Sequence, residues 1–451
     1  MKPIKTNLPA LSENTFLRYF NFIALYFAQG VPEGMLFFGI PAWMAMNGKS
    51  AGEIASFAIA CGLPWSFKFI VAPLMDRYTI LSMGRKRPWV IFGQLGLMTS
   101  FIIMAFLPDP LNNLNLLMVA GFIVSFFGAF QDVATDGMAV DIIPVNEQAR
   151  ANGFMWGSKI IGISASLALG SWLLNKYSFT VSIATLSVLV GLIMLVPIFL
   201  RERPNEKIMP WTEGKAFPQN KKLQVNDWRK IFKSLYSVFK LKNSLLLAVI
   251  GFIIAGCINY MDILLPIFTV KELGWTDLTY SQVFATTSVI GGISGMLIGG
   301  FLVDKFGKKR MLNFYFFAWI ASTVALVFMK TFWADTFFIN AYMFAYSTLG
   351  VFCQIGFFAI AMQCCWKKVS ASQFTLYMTI SNIGRIAFAA LIPPIKDYFS
   401  WEITLLAFAS FVVLAWILLQ FLNIAHQVKN VEHLENKDIE NEGTLVTVIG
   451  V

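Results

Sequence analysis

Long runs of apolar residues, each interrupted by only a few polar ones, recur along the whole chain. They fall near residues 19–46, 51–74, 88–107, 115–143, 150–173, 180–200, 244–270, 279–303, 311–330, 335–365, 371–394 and 401–424. A helix needs about 20 apolar residues to cross the hydrocarbon core of a bilayer. Lipid offers no partner for backbone N–H and C=O groups, so only helices and closed barrels can cross it. These runs are far longer than barrel strands. The pattern therefore predicts an all-α transmembrane protein of twelve helices. A polar stretch divides them into two sets. The expected organisation is an N-terminal segment over 1–18, a six-helix bundle over 19–200, a basic linker over 201–243, a second six-helix bundle over 244–424 and a tail over 425–451. The tail is polar and acidic and is expected to be weakly ordered. The first apolar run follows Lys2, Lys5 and Arg18 and continues for a full span. It is therefore expected to remain as a helix rather than to serve as a cleaved signal.

Composition supports this picture, and charge orients it. Of the 451 residues, 57% are hydrophobic and 13% charged, against about 25% charged in soluble domains. The net charge of +10 would suggest nucleic acid in a soluble protein. Here its placement gives a plainer reason. Of the 35 Lys and Arg, 27 fall in segments on one side of the spans, five fall on the other, and three (Lys68, Lys159 and Arg385) lie within spans. Basic residues accumulate on cytoplasmic loops. The expectation is a multi-pass protein of the inner (plasma) membrane with both termini cytoplasmic and no nucleic-acid partner. The five cysteines all sit in apolar stretches, which suits small buried residues better than a disulfide framework. The two histidines, His426 and His433, both lie in the tail. No metal site or cofactor is expected, and His-dependent chemistry within the membrane is excluded. No Gly-x-x-x-x-Gly-Lys-Ser/Thr motif is present, which argues against ATP-driven transport.

A motif repeats at half-chain spacing. Asp76-Arg77 followed by Gly84-Arg85-Lys86-Arg87 comes after the second run, and Asp304-Lys305-Phe306-Gly307-Lys308-Lys309-Arg310 comes after the eighth. The two aspartates are 228 positions apart. An acid at this place can face the N-terminus of a neighbouring helix, and the glycine permits a tight reversal. Asp76, Arg77, Gly84, Arg85, Asp304, Lys305, Gly307 and Lys308 are accordingly candidates for a gating or structural loop in each half. Duplicated six-helix halves are a transporter design with the site near the midplane between them.

These turns resemble the signature loop of the major facilitator superfamily, the first with an insertion from Tyr78 to Met83. Four stretches resemble the AmpG-type permeases more narrowly. They are Gln29-Gly-Val-Pro-Glu-Gly34 with Pro41-Ala-Trp43; Gly62 through Tyr78; Gln131-Asp-Val-Ala-Thr-Asp136 with Asp141-Ile-Ile-Pro144; and Ser372 through Leu376 with Gly384-Arg385. The resemblance implies a twelve-helix fold of two six-helix halves around a central cavity, working as a proton-coupled importer of muropeptide type. The group is also similar to single-protein siderophore importers and acetyl-CoA transporters. Muropeptide permeases tend to carry an aromatic–basic pair after the second aspartate of span 4, where this chain has Gly137, Met138 and Ala139.

Charges within the apolar runs mark candidate chemistry, because each costs at least ~2.5 kcal/mol at the bilayer centre unless it finds a partner or a cavity. Asp132 and Asp136 lie i,i+4 on one face of span 4. Lys159 on span 5 lies at a depth between theirs by helix rise. These positions predict a buried Asp132–Lys159–Asp136 cluster with one spare carboxylate; a fixed structural ion pair fits the same residues. Glu33 and Arg385 lie at matching depth in spans 1 and 11 and are expected either to meet or to face substrate together. Glu33, Asp132 and Asp136 are the proton-coupling candidates. Gln29, Lys159, Asn259, Gln354, Asn382 and Arg385 are the substrate-binding candidates, with the basic residues suited to an anion. Lys68 is expected to snorkel toward the membrane surface, and Asp262 to lie near the opposite interface. The expected function is secondary active transport of an anionic or amphiphilic solute by a monomer, with protons and the lipid bilayer as its other partners. A membrane-embedded enzyme or a non-transporting sensor are the alternatives of another class. The first lacks an intramembrane histidine and the second an output domain.

Overall fold

The computed structural model describes residues 9–225 and 227–449. Twelve helices are long and apolar enough to cross a membrane. Spans 1–6 are Thr15–Met46, Gly52–Ile70, Arg87–Ala105, Leu114–Ile142, Val145–Lys176 and Phe179–Phe199. Spans 7–12 are Lys242–Lys271, Thr279–Phe306, Lys308–Phe328, Thr336–Cys364, Lys367–Lys396 and Trp401–Phe421. With an even number of crossings among the described residues, span 1 begins and span 12 ends on one membrane face, called here the terminal face.

Packing within each half depends on bare backbone. Span 1 crosses span 5 at Gly30, where a Cβ would run into the Lys159 carbonyl and the Ile163 amide. Small residues at such crossings let helices approach closely where no hydrophobic driving force separates protein from lipid. The contact fixes the height at which spans 1 and 5 meet, and so places Glu33 beside Lys159. Pro64 lies inside span 2, and the α-helix gives way to a 3-10 turn over Lys68–Ile70.

The two repeated turns share a backbone conformation. Gly84 has φ +112° and Gly307 has φ +96°, values that side-chain-bearing residues rarely adopt. Asp76 accepts hydrogen bonds from the Ser372 amide (2.9 Å) and hydroxyl (2.6 Å) at the start of span 11. Asp304 accepts from the amides of Ala149 (3.1 Å) and Arg150 (3.0 Å) at the start of the main helix of span 5. Each half thus caps a helix of the other, where the helix dipole favours an anion. Arg85 crosses the same seam, bonding Asp141 at 2.9 Å and the carbonyls of Lys367 and Lys368 at 2.5 Å. Lys308 reaches Gln148 at 2.6 Å. Arg77 and Lys305 take no such part: Arg77 stacks between Tyr78 and Trp228, and Lys305 lies over Phe301 and Phe306.

The segment between the halves is built, not slack. Glu202 accepts the amides of Arg85 (2.8 Å), Lys86 (2.7 Å) and Arg87, capping the start of span 3. Glu206 beside it accepts from the Arg203 amide at 2.9 Å and Asn220 at 2.7 Å. Helix Trp228–Phe239 buries Ile231, Leu235 and Val238 against Trp366, Val369 and Val431, while Phe232 and Tyr236 face outward. Val431 belongs to helix Ile424–Ile449, and for the first turns of that helix its packing corrects the expectation of a weakly ordered tail. Val431 and Leu434 give that polar segment an apolar stripe, and Gln427 bonds Ser244 at 2.8 Å. Residues 1–8 of the expected N-terminal segment and residues 450 and 451 of the tail lie outside the described residues.

Two outcomes follow from this packing. Replacing Gly30 by Ala forces spans 1 and 5 apart and is expected to cost about 1–3 kcal/mol, read by reversible unfolding in mixed micelles; an unchanged midpoint would contradict the close crossing. Burial, then the neighbouring Glu202 charge, raises Glu206 from 4.5 to about 8. Folding therefore favours the protonated form, and its stabilisation is present below 4.5 and lost as pH rises through about 8. Thermal unfolding of Glu206→Gln across that window should show a flatter pH dependence than the parent protein, and equal slopes would refute it.

Candidate functional site

Span 1 presents Tyr26, Gln29 and Glu33 at i, i+3 and i+7, one face of a helix. Each meets a charged partner. Tyr26 donates its hydroxyl to Asp136, and the Gln29 amide donates to Asp132. Glu33 pairs with Lys159 at 2.7 Å. Asp132 is also paired with Lys68 at 2.6 Å, and both residues are 2% exposed. The stripe is therefore the spine of the polar centre in the first half.

The expected Asp132–Lys159–Asp136 cluster does not form. Depth along the helices matched, but direction did not. The Gly30 crossing hands Lys159 to Glu33, while the 3-10 turn in span 2 swings Lys68 inward to Asp132. Lys68 thus does not snorkel. Arg385 does not meet Glu33 either. Among these five groups, Glu33, Asp132 and Asp136 face only two cations, Lys68 and Lys159. Of these three carboxylates Asp136 is the one left without an ion pair: one oxygen accepts from Tyr26 and the other, buried, has no partner among the described residues.

A cavity of about 330 Å³ lies between the halves. Its wall includes Trp156, Ile160, Asp262, Tyr346, Gln354 and Arg385, from spans 5, 7, 10 and 11. Asp262 lies ~30 Å along span 7 from Lys242 and Arg385 ~22 Å along span 11 from Ser370, by helix rise. The cavity is therefore displaced from the terminal face, which the caps of Asp76 and Asp304 close. Tyr346 donates to Asp262 and to the Ile258 carbonyl, both at 2.9 Å. Asn259 donates to the backbone carbonyl of Arg385 at 2.9 Å, which ties span 7 to span 11. Gln354 lines the cavity; Asn382 is half-buried and is not among its lining residues. Trp156 and Trp65 face the Lys159 ammonium at 5.2 Å each.

A model of the Major Facilitator Superfamily matches residues 22–389. The chain belongs to the major facilitator superfamily. It is 24% identical over 364 residues to the anhydromuropeptide permease of Escherichia coli K12, covering 81% of this chain and 71% of that protein. Its fold is similar to that of the superfamily transporter FucP in the outward conformation, with TM-score 0.69 and 14% identity over 90% of this chain and 98% of that one. A bacterial homologue of the iron transporter ferroportin in an outward-facing state follows at TM-score 0.62 and 11% identity, over the same shares. The superfamily fold is thus established: two six-helix halves enclosing a central cavity, with the duplicated loops at one face.

Sequence reasoning undervalued Lys68, Tyr26 and Asp262 and missed Trp65 and Trp156 as neighbours of charge. The regular spacing of Tyr26, Gln29 and Glu33 was the signal available for the stripe. Nothing comparable announces the inward turn of Lys68.

Removing one partner of the buried Lys68–Asp132 pair leaves a charge unpaired, a change worth about 3–5 kcal/mol. Lys68→Ala and Asp132→Ala should each destabilise strongly, while the double variant should recover much of the loss. Additive single effects in a double-mutant cycle would contradict the direct pairing.

Proposed function

We propose that this chain is a proton-coupled secondary importer of an anionic, amphiphilic solute of muropeptide type, acting as a monomer in the inner (plasma) membrane. Asp136 carries the reading. Of the three intramembrane carboxyls Glu33, Asp132 and Asp136 in the first half, it is the one without an ion pair, and it is bonded by a buried tyrosine. A carboxyl so placed can take up and release a proton without breaking an ion pair. Asp132 and Glu33, each neutralised by a lysine, serve to keep that proton at one site. The terminal face is cytoplasmic because the basic loops lie there.

Transport then follows from the seam. With Asp76, Arg85 and Asp304 joining the halves at the cytoplasmic side, the cavity serves the opposite side. Rocking the halves breaks these bonds and presents the cavity inward. Arg385 and Lys159 suit carboxylates of the solute, and the Trp65 and Trp156 rings offer apolar planes beside them. The 24% identity to an anhydromuropeptide permease supports the substrate class. A second reading, a siderophore or acetyl-CoA type of solute, is favoured by Gly137-Met138-Ala139, which stand where muropeptide permeases tend to carry an aromatic–basic pair; Gly137 itself packs against Ala371 of span 11 and the Lys86 side chain.

Uptake into proteoliposomes under an inside-alkaline pH gradient tests both, with labelled anhydromuropeptide compared with an iron–siderophore complex. Gradient-driven accumulation of the muropeptide is expected. Asp136→Asn should abolish accumulation yet keep exchange of labelled for unlabelled solute. Accumulation that survives in Asp136→Asn would remove Asp136 from the coupling role.

A further inference from the structure

Intramembrane acids and bases come in a duplicated arrangement, and in the second half both members line the cavity. Glu33 and Asp262 are 229 positions apart, Lys159 and Arg385 are 226 apart, and the loop aspartates are 228 apart. Each half thus places an acid on its first span and a base on its fifth. In the first half the pair is closed, with 2.7 Å between Glu33 and Lys159. In the second half no ion pair joins Asp262 to Arg385 among the described residues, although both line the cavity. The Arg385 guanidinium makes no hydrogen bond to any described residue. Asp262 accepts one from Tyr346, and among the described residues its other oxygen has no protein donor.

An open acid–base pair in such a wall is selective for charge pattern. A solute carrying only carboxylates would satisfy Arg385 and, on expelling water, leave Asp262 beside its own negative charge. A solute carrying only an ammonium would strand Arg385. Desolvated charges left unpaired are costly, so the group that fits supplies both signs within the one cavity. We propose that Asp262 and Arg385 form a subsite for an ammonium–carboxylate head, the α-amino acid end of a substrate, with the ammonium on Asp262 and the carboxylate on Arg385. Tyr346 positions the Asp262 carboxylate, and the Asn259 bond to the Arg385 carbonyl holds the two spans in register. This deepens the reading of the cavity as a transport site and narrows its solute from an anion to one that also carries a cationic amine.

Three matched probes test it by isothermal titration of the purified full chain: norleucine, hexanoate, which lacks only the amine, and pentylamine, which lacks only the carboxylate. Norleucine should bind at least about tenfold more tightly than either, the gain of one charge-assisted hydrogen bond. Asp262→Asn should erase the preference for norleucine over hexanoate, and Asp262→Glu should keep it, which separates a lost contact from a misfolded protein. Equal binding of norleucine and hexanoate would overturn the proposal, as would no binding of any probe or a preference that survives Asp262→Asn. The outcome is separable from that of the muropeptide assay. Failed muropeptide uptake with intact norleucine selectivity strikes only the muropeptide reading, and the reverse result strikes only this subsite.

Discussion

A charge inside hydrocarbon must find a partner, and span 1 supplies or orders most of the partners in the first half. Its Tyr26, Gln29 and Glu33 bind Asp136, Asp132 and Lys159 in turn. That stripe holds spans 1, 4 and 5 at one relative height, and Lys68 adds span 2 through Asp132. The glycine crossing of spans 1 and 5 is part of the same arrangement, because a side chain at Gly30 would lift Glu33 away from Lys159. Packing and electrostatics therefore specify each other. The odd number of carboxylates leaves Asp136 with a hydroxyl instead of a cation, and the coupling role proposed for it rests on that imbalance.

The same rule works differently at the terminal face. There the partners of Asp76 and Asp304 are helix N-termini of the opposite half, so the bonds are strong in one arrangement of the halves and absent in another. A seal made of helix caps can open without abandoning a buried charge to lipid, since the groups exposed by opening face water. Glu202 and helix Trp228–Phe239 extend this seal. The first fastens the linker to the start of span 3, and the second lies across Trp366 and Val369 of the other half. The linker is therefore a structural part of the closed face as well as a connection.

The second half carries the complementary feature. Its acid and base face the cavity unjoined, while those of the first half are in contact. On the proposed function, this asymmetry between duplicated positions separates a half that handles the proton from a half that reads the solute.

Helix number and the duplication were legible in the sequence because they depend on local quantities: a run long enough for the bilayer, and a motif recurring at half-chain spacing. The candidate charges were legible too, since any ionisable residue in hydrocarbon stands out against its neighbours. Their pairing was not. Helix rise gives depth but not direction, and by height alone Lys159 falls between Asp132 and Asp136. The choice between Glu33 and the aspartates depends on which helix Gly30 admits against span 5, and the fate of Lys68 depends on a 3-10 turn after Pro64. The order of the tail depends on Val431 finding the linker helix. Sequence by itself determined what must be buried and how often it repeats. Only the tertiary structure decided which buried charge answers which, because that is set by contacts between segments far apart in the chain.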